Sequence, residues 1–319
     1  IHDDGTVAGP LSDLPKVVRI LEDEATQLGL TLNKSKCQVW VGNYDPGNND
    51  PLNCGIPRAP SCGFTLLGSP IGSAGYMTDK LNERIDKIED TILNKFPLLE
   101  DPQVQLSLLR STHALPKLVY SIRTCDSLSI TSPLERFDSI QNCALENIVG
   151  AALTPMALTQ ASLPVSKGGL GLRKAALHSK AAFLSSTVQT KPIVDQILAN
   201  FPHRRSTDDL LSNFISSSGP FPQSVIDDLA ALDPSSFTQN KLSMLIDDSI
   251  QASLITQNSL AGNVRSMARL QSLTLNHASD YLNCIPSHYY GLSMLPQNFR
   301  LTLQYRLGLP VFPSPNPSC

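Results

Sequence analysis

The segment Leu28-Gly29-Leu30-Thr31-Leu32-Asn33-Lys34-Ser35-Lys36-Cys37 sits between a helix signal and a run of strand signals. Upstream, residues 11–28 read as an amphipathic helix. Leu14, Val17, Val18, Leu21, Ala25 and Leu28 recur at three and four residues, with Lys16, Arg19, Glu22 and Glu24 between them. Pro15 suits the first turn, Ser12 or Asp13 the cap, and Gly29 a left-handed stop. Within and after the segment, Thr31-Leu32-Asn33 and Cys37-Gln38-Val39-Trp40-Val41 read as short strand pieces around a Lys-Ser-Lys turn. A Pro, Gly and Asn loop from Gly42 to Pro60 leads to a further strand, Phe64-Thr65-Leu66-Leu67-Gly68, which stops at Ser69-Pro70-Ile71-Gly72.

Further upstream the chain opens Ile1-His2-Asp3-Asp4-Gly5-Thr6. Two adjacent aspartates before a glycine suit a tight turn between strands. Carboxylates held on such a turn are hard oxygen ligands of the kind Mg²⁺ uses in phosphoryl-transfer sites. An Asp-Asp-Gly triplet is also a common solvated turn, so its meaning rests on the residues that follow it. His2 reads as a packing residue, because strand alternation points it away from Asp3.

The order of turn with two aspartates, helix, strand and strand resembles the palm of reverse transcriptases of non-LTR retroelements. In that family an aromatic-x-Asp-Asp hairpin carries two catalytic carboxylates. A helix follows, ending in a pattern that Leu28 to Cys37 resembles, and the Leu66-Leu67-Gly68 run looks like the family's primer-grip hairpin. Leu115-Pro116-Lys117-Leu118-Val119-Tyr120-Ser121-Ile122-Arg123-Thr124, Leu163-Pro164 through Gly168-Gly169-Leu170-Gly171-Leu172-Arg173, Leu282-Asn283-Cys284-Ile285-Pro286-Ser287 and Arg306-Leu307-Gly308-Leu309-Pro310 are similar to stretches that recur in such elements.

The resemblance implies an RNA-directed DNA polymerase acting on an RNA template, a DNA primer and deoxynucleotides, with Mg²⁺ or Mn²⁺ as cofactor. Asp3 and Asp4 would be its metal ligands, Asp3 the stronger. Lys36 would be the proton donor to pyrophosphate, with Lys34 competing for the role and a solvated turn lysine as the plain alternative. Leu67 and Gly68 would approach the primer end through their backbone. Arg110, Lys117 and Arg123 would reach duplex phosphates. The family's further metal carboxylate lies on an earlier strand that is not in this sequence. Ile1 and Cys319 therefore read as the edges of a fragment, whose parent would add the fingers and the first palm strands. Ile1 also stands where the family has an aromatic residue, which loses any stacking or hydroxyl contact there.

Composition sets limits on these roles. The chain has 319 residues, 41% of them hydrophobic, and a net charge of −3. That is enough apolar material for two domains, and no apolar run reaches a membrane span of about 20 residues. The balance does not favour strong nucleic-acid binding by this segment alone. Basic residues lead only mildly between Asp101 and Lys174. Between residues 201 and 260 the aspartates 208, 209, 227, 228, 233, 247 and 248 outnumber Arg204, Arg205 and Lys241. The seven cysteines form no Cys-x-x-Cys pair and read as free thiols in a reducing, intracellular compartment, nuclear or cytoplasmic.

From residue 76 the spacing is helical. Leu81, Ile85, Ile88 and Ile92 mark a helix ending near Phe96-Pro97. Leu134, Phe137, Ile140, Ala144 and Ile148 mark another, begun by Thr131-Ser132-Pro133 and stopped by Gly150. Residues 175–188, 242–255 and 264–281 read as helices too, and Ser216 to Pro222 as a joint between helical subdomains. The expected fold class is α+β: a partial reverse transcriptase palm with few antiparallel strands over 1–75, a helical thumb-like domain over 76–190, and a helical C-terminal region over 191–319. Two other readings compete. One is a non-catalytic remnant or nucleic-acid-binding module that keeps the thumb fold. The other is an unrelated metal-dependent hydrolase, which leaves Leu28 to Cys37 and Leu66 to Gly68 unexplained.

Overall fold

A computed structural model describes residues 5–42, 50–197, 207–230 and 237–311. The chain divides into two compact units, 1–80 and 81–319.

In the first unit α1 (Leu14–Gln27) carries Pro15 in its first turn, as expected. Its C-terminus closes as a Schellman motif: Leu30 N–H bonds Ala25 O at 2.8 Å and Gly29 N–H bonds Thr26 O at 3.0 Å. The two strand pieces expected next do not form a ladder. Lys34–Lys36 is a single 3₁₀ turn, because Asn33 offers local partners that compete with pairing: Ser35 Oγ bonds its Oδ1 and Cys37 Sγ its carbonyl. Val39 makes one parallel bridge, to Arg58. Pro57 and Pro60 flank that partner and have no N–H to extend it.

Val39, Leu52 and Ile56 form the small core of this unit, with Leu14 and Val18 of α1 packed against it. The outer part of the α1 stripe stays in solvent, Leu21 and Leu28 included. The last strands are an antiparallel hairpin, β1 (Gly63–Leu66) and β2 (Ser69–Gly72), paired from Gly63↔Gly72 to Leu66↔Ser69. Leu67 and Gly68, expected to end a strand, are the two-residue turn that joins them.

The helix α2 (Ala74–Glu89) runs across the division between the units and continues as a π turn over Asp90–Lys95 and a 3₁₀ turn over Phe96–Leu99. Leu81, Ile85, Ile88 and Ile92 are all buried, as their spacing predicts. Next come α3 (Pro102–Leu108), α4 (Val119–Thr124), α5 (Thr131–Val149), α6 (Pro155–Ser162) and α7 (Ala175–Ile197). After them follow α8 (Thr207–Ser218), α9 (Gln223–Ala230), α10 (Gln239–Leu260), α11 (Val264–Ser272), α12 (Asp280–Asn283) and α13 (Pro296–Leu307). The second unit has no strand among the described residues.

Five boundaries differ from the spacing. Thr131 is helical and returns its hydroxyl to Ser127 O, so it is not the cap. α7 continues past Val188 through Pro192 to Ile197, with its added turns largely exposed. The helix expected over 264–281 breaks after Ser272, where His277 takes a φ of 67°. Ser216 to Pro222 joins no separate bodies, because Leu211, Phe214 and Leu229 on either side of it lie in one core cluster with Leu184 and Ile246. The division expected after residue 190 falls inside α7.

α7 is the central strut, packed against α4, α5, α8 and α10. Its first turn is capped from a neighbouring helix: Asp138 of α5 accepts Ala175 N–H at 2.6 Å and Ala176 N–H at 3.2 Å. Burial holds the Asp138 carboxyl up at about 6, although both N–H groups and Lys174 pull it down. A buried polar tie joins α7 to α10. Arg173 donates to Asp247, which is 0% exposed, at 2.5 Å. His178 lies 3.7 Å from Asp247 and 3.2 Å from Ser243 Oγ. The line of Ser243, His178 and Asp247 is sealed in the core, so it serves packing and no substrate.

Burial, then the Arg173 charge, lower the His178 pKa to about 3, against about 6.5 when unfolded. Between these values the unfolded chain binds the extra proton. Stability from neutral His178 is therefore complete above about pH 6.5 and is lost as pH falls toward 3. Asp138 has the opposite sign, since the folded state holds more protons between the ordinary carboxyl value and about 6. Between about pH 4 and 6 the two slopes largely cancel, so wild-type urea midpoints should change little with pH. In His178→Gln the uncompensated Asp138 effect should make the midpoints fall as pH rises toward about 6.

Candidate functional site

Asp3 and Asp4 lie outside the described residues. The geometry around the remaining first-unit candidates is built by the α1 cap and the hairpin. The Schellman turn delivers the chain into the 3₁₀ turn that carries both lysines. Lys34 Nζ pairs with Glu22 Oε1 of α1 at 2.7 Å. The Glu22 hydrogen bond raises the Lys34 pKa, which makes it the poorer proton donor. Lys36 points to solvent and has no ion pair among the described residues.

The hairpin is tight at both ends. At its base a Cβ on Gly63 would meet Ile71 O at 2.5 Å, and one on Gly72 would meet Cys62 O at 2.2 Å. At its tip Leu67 has φ 48° and Gly68 φ 80°. Two central residues at positive φ are the pattern of a type I′ turn, whose twist matches that of the paired strands. Gly68 fits such a turn at no cost. Leu67 does not, since a left-handed backbone costs an L-residue about 1–2 kcal/mol. Its side chain is 70% exposed, so no burial offsets the strain.

Beside the hairpin, Trp40 and Phe64 pack with their rings tilted by 38° at 5.1 Å between centroids, and Trp40 Nε1 donates to Ser61 O at 3.4 Å. Tyr76 Oη reaches Thr65 Oγ1 at 3.4 Å. These contacts hold the hairpin from both sides and present its tip.

The structure separates the three basic residues of the second unit. Lys117 and Arg123 are exposed, on a 3₁₀ turn and on α4 respectively. Arg110 turns inward and donates Nη2 to Leu282 O at 2.5 Å. This internal contact leaves Arg110 half-buried.

The glycine-rich stretch has its largest part inside the second unit, where the sequence offered no chemistry for it. Leu170 and Leu172 are buried, and the N–H groups of both bond Ala161 O. A Cβ on Gly169 would lie 2.0 Å from Leu163 O, so no other residue fits there. Two buried glutamines bind the loop: Gln160 donates to Gly168 O at 2.9 Å and to Arg306 O at 2.8 Å, and Gln141 to Leu172 O at 2.9 Å. Nothing in a helix spacing singles out these glutamines, whereas Arg173 and Arg306 are carried by the recurrent stretches themselves. Among the described residues no three His, Cys, Asp or Glu side chains gather as a metal-ligand set, and no helix is long and apolar enough to cross a membrane.

With this geometry in place, comparison with known proteins finds one informative likeness. The retrotransposable element SLACS 132 kDa protein of Trypanosoma brucei gambiense is 26% identical over 178 residues, covering 54% of this chain and 14% of that protein. The chain thus matches a small part of a much longer relative, and the likeness supports a retrotransposon-related origin. No family model matches the chain, and no solved structure matches it.

Leu67→Asn tests the strain at the hairpin tip. Asparagine tolerates the left-handed region, so the variant should unfold at higher urea, with a gain of about 1 kcal/mol. An unchanged midpoint would mean that the tip conformation costs nothing.

Proposed function

We propose that the chain is the C-terminal part of the palm, followed by the thumb and a downstream helical region, of a retroelement reverse transcriptase. The complete enzyme would be an RNA-directed DNA polymerase. The observation that carries this reading is the succession in the first unit of a glycine-capped helix, a lysine-bearing turn and a tight Leu67-Gly68 hairpin, all following an Asp-Asp pair. The likeness to a retrotransposable element protein supports it. In this reading Asp3 and Asp4 would hold Mg²⁺ or Mn²⁺, their hard carboxylate oxygens suiting either ion. When bound, the metal supplies charge neutralisation at the reacting phosphates.

The chain's own residues divide the remaining work. Lys36, left in solvent while Lys34 is tied to Glu22, is the better placed to give a proton to the departing pyrophosphate. The backbone at Leu67 and Gly68 offers the primer end a close approach, because a glycine at the tip leaves no Cβ in the way. Lys117 and Arg123 remain available to duplex phosphates. Arg110 is half-buried, with its Nη2 engaged by Leu282 O. Ile1 at the family's aromatic position favours a second reading, a remnant that keeps the thumb fold without catalysis.

The isolated 319-residue chain should incorporate no labelled deoxynucleotide above background, because two adjacent aspartates alone do not complete a two-metal cage. Incorporation by the purified chain on an RNA template would contradict this.

In a parent protein extended upstream, Asp3→Asn should abolish single-nucleotide incorporation while template-primer affinity by filter binding stays nearly unchanged. The metal ligand acts mainly in the transition state, whereas duplex binding is spread over many phosphates. Lys36→Ala should be milder, within the roughly 10²- to 10⁴-fold range of general acid catalysis. Near-normal turnover in Asp3→Asn would leave the aspartates as a turn and favour the remnant.

A further inference from the structure

Three guanidinium groups meet inside the second unit, and among the described residues no carboxylate balances them. Arg306 of α13 is 1% exposed. It donates Nε to Gly169 O at 3.0 Å and Nη2 to Val165 O at 2.9 Å, and it hydrogen-bonds Tyr281. Arg269 of α11 donates to Gln160 Oε1 at 3.1 Å and to Arg306 O. Arg110 donates Nη2 to Leu282 O. Two further donors are left over: Nη1 of Arg110 and Nη1 of Arg306 are buried without a hydrogen-bond partner.

The surrounding sequence supplies no countercharge. Residues 102–125, 155–174, 261–279 and 281–311, which build this region, contain no Asp or Glu, although the whole chain has a net charge of −3. Asp280 is the one acid between them. It lies largely in solvent, with His277 at 2.8 Å. Burial lowers the pKa of all three arginines, and the Arg110 charge lowers that of Arg306 further. The two side chains with spare donors are therefore near neighbours that repel.

We propose that this cluster is a binding site for a phosphoryl-type oxyanion, held between Arg110 and Arg306. Buried charges are ordinarily paired, and a lone guanidinium in the interior is costly. Three of them, with two unfilled Nη1 donors, match an anion that accepts several N–H groups at once. Guanidinium forks suit the tetrahedral oxygens of phosphate better than a point charge would. The glycine loop makes the close approach possible: a Cβ on Gly171 would sit 2.9 Å from Arg110 Cδ. Arg110 keeps part of its side chain at the surface, so the anion enters from that side. The same chemistry is offered by free phosphate and by the terminal phosphate of a nucleic-acid strand. The proposal does not depend on polymerase activity.

The test uses the full 319-residue chain, titrated with sodium phosphate at constant ionic strength. Thermal unfolding and ³¹P line broadening are the readouts. Phosphate should raise Tm saturably and its resonance should broaden, and Arg110→Gln should weaken binding about tenfold or more, as loss of a charge-assisted hydrogen bond does. In phosphate-free buffer Arg110→Gln should melt at or above the wild-type temperature, because it removes an unbalanced buried charge. A purely structural Arg110, holding only Leu282 O, predicts a lower Tm in both buffers, and that result overturns the proposal. So does a stabilisation that chloride at matched ionic strength reproduces. If Arg110→Gln does not fold, wild-type ³¹P broadening decides, and its absence is equally fatal. Displacement of phosphate by a 5′-phosphorylated oligonucleotide, with no effect of its 5′-hydroxyl twin, would support the site and assign the source to a strand end. Failure of both oligonucleotides to displace bound phosphate would support free phosphate.

Discussion

At Gly169 the chain passes so close to the Leu163 carbonyl that only a hydrogen can occupy the Cβ position. Much of the second unit is arranged around that contact. Because the loop lies flat against the end of α6, its carbonyls at Val165, Gly168 and Gly169 turn toward side chains arriving from distant parts of the sequence. Arg306 and Gln160 bind those carbonyls, and Leu170 and Leu172 fill the space beneath. Buried backbone acceptors demand partners. The loop therefore dictates long polar side chains on α6 and α13, where a stripe of leucines would otherwise do.

The arrangement has an electrostatic consequence. Carbonyls satisfy guanidinium hydrogen bonds but do not cancel their charge. Elsewhere in the same unit the chain solves this directly, by giving Arg173 the buried carboxylate of Asp247. Around Arg110, Arg269 and Arg306 no such acid is present among the described residues. The two arginine environments in this unit thus differ in their countercharge, present for Arg173 and lacking among the described residues around Arg306.

The first unit is built on a smaller scale. Its core is three buried aliphatic residues, and its order comes from local devices: a Schellman cap, a 3₁₀ turn and a type I′ hairpin. Such devices fix a turn tightly without a large core, which is what a backbone approach to a ligand requires. The strained Leu67 is the exception to local consistency, and strain of this kind concentrates where a site constrains the backbone.

The sequence by itself determined the buried faces of α2 and α5. Leu81 to Ile92 and Leu134 to Ile148 could be read because the 3.6-residue period is written in the apolar positions and burial follows it directly. It also placed the Gly29 stop and the strand before Leu67. It did not determine that Thr31 to Val41 forms no ladder, since pairing depends on a partner segment whose prolines lie some twenty residues away. Nor did it show that Arg110 faces inward. A basic residue has the same identity on a surface as in a core, and only the approach of Leu282 and the glycine loop decides between them. The recurrent stretches around Gly169, Leu282 and Arg306 were visible as words without a meaning. Tertiary structure gave them one by gathering the Gly169 loop, the Leu282 carbonyl and Arg306 around the buried arginines, a convergence that no local pattern encodes.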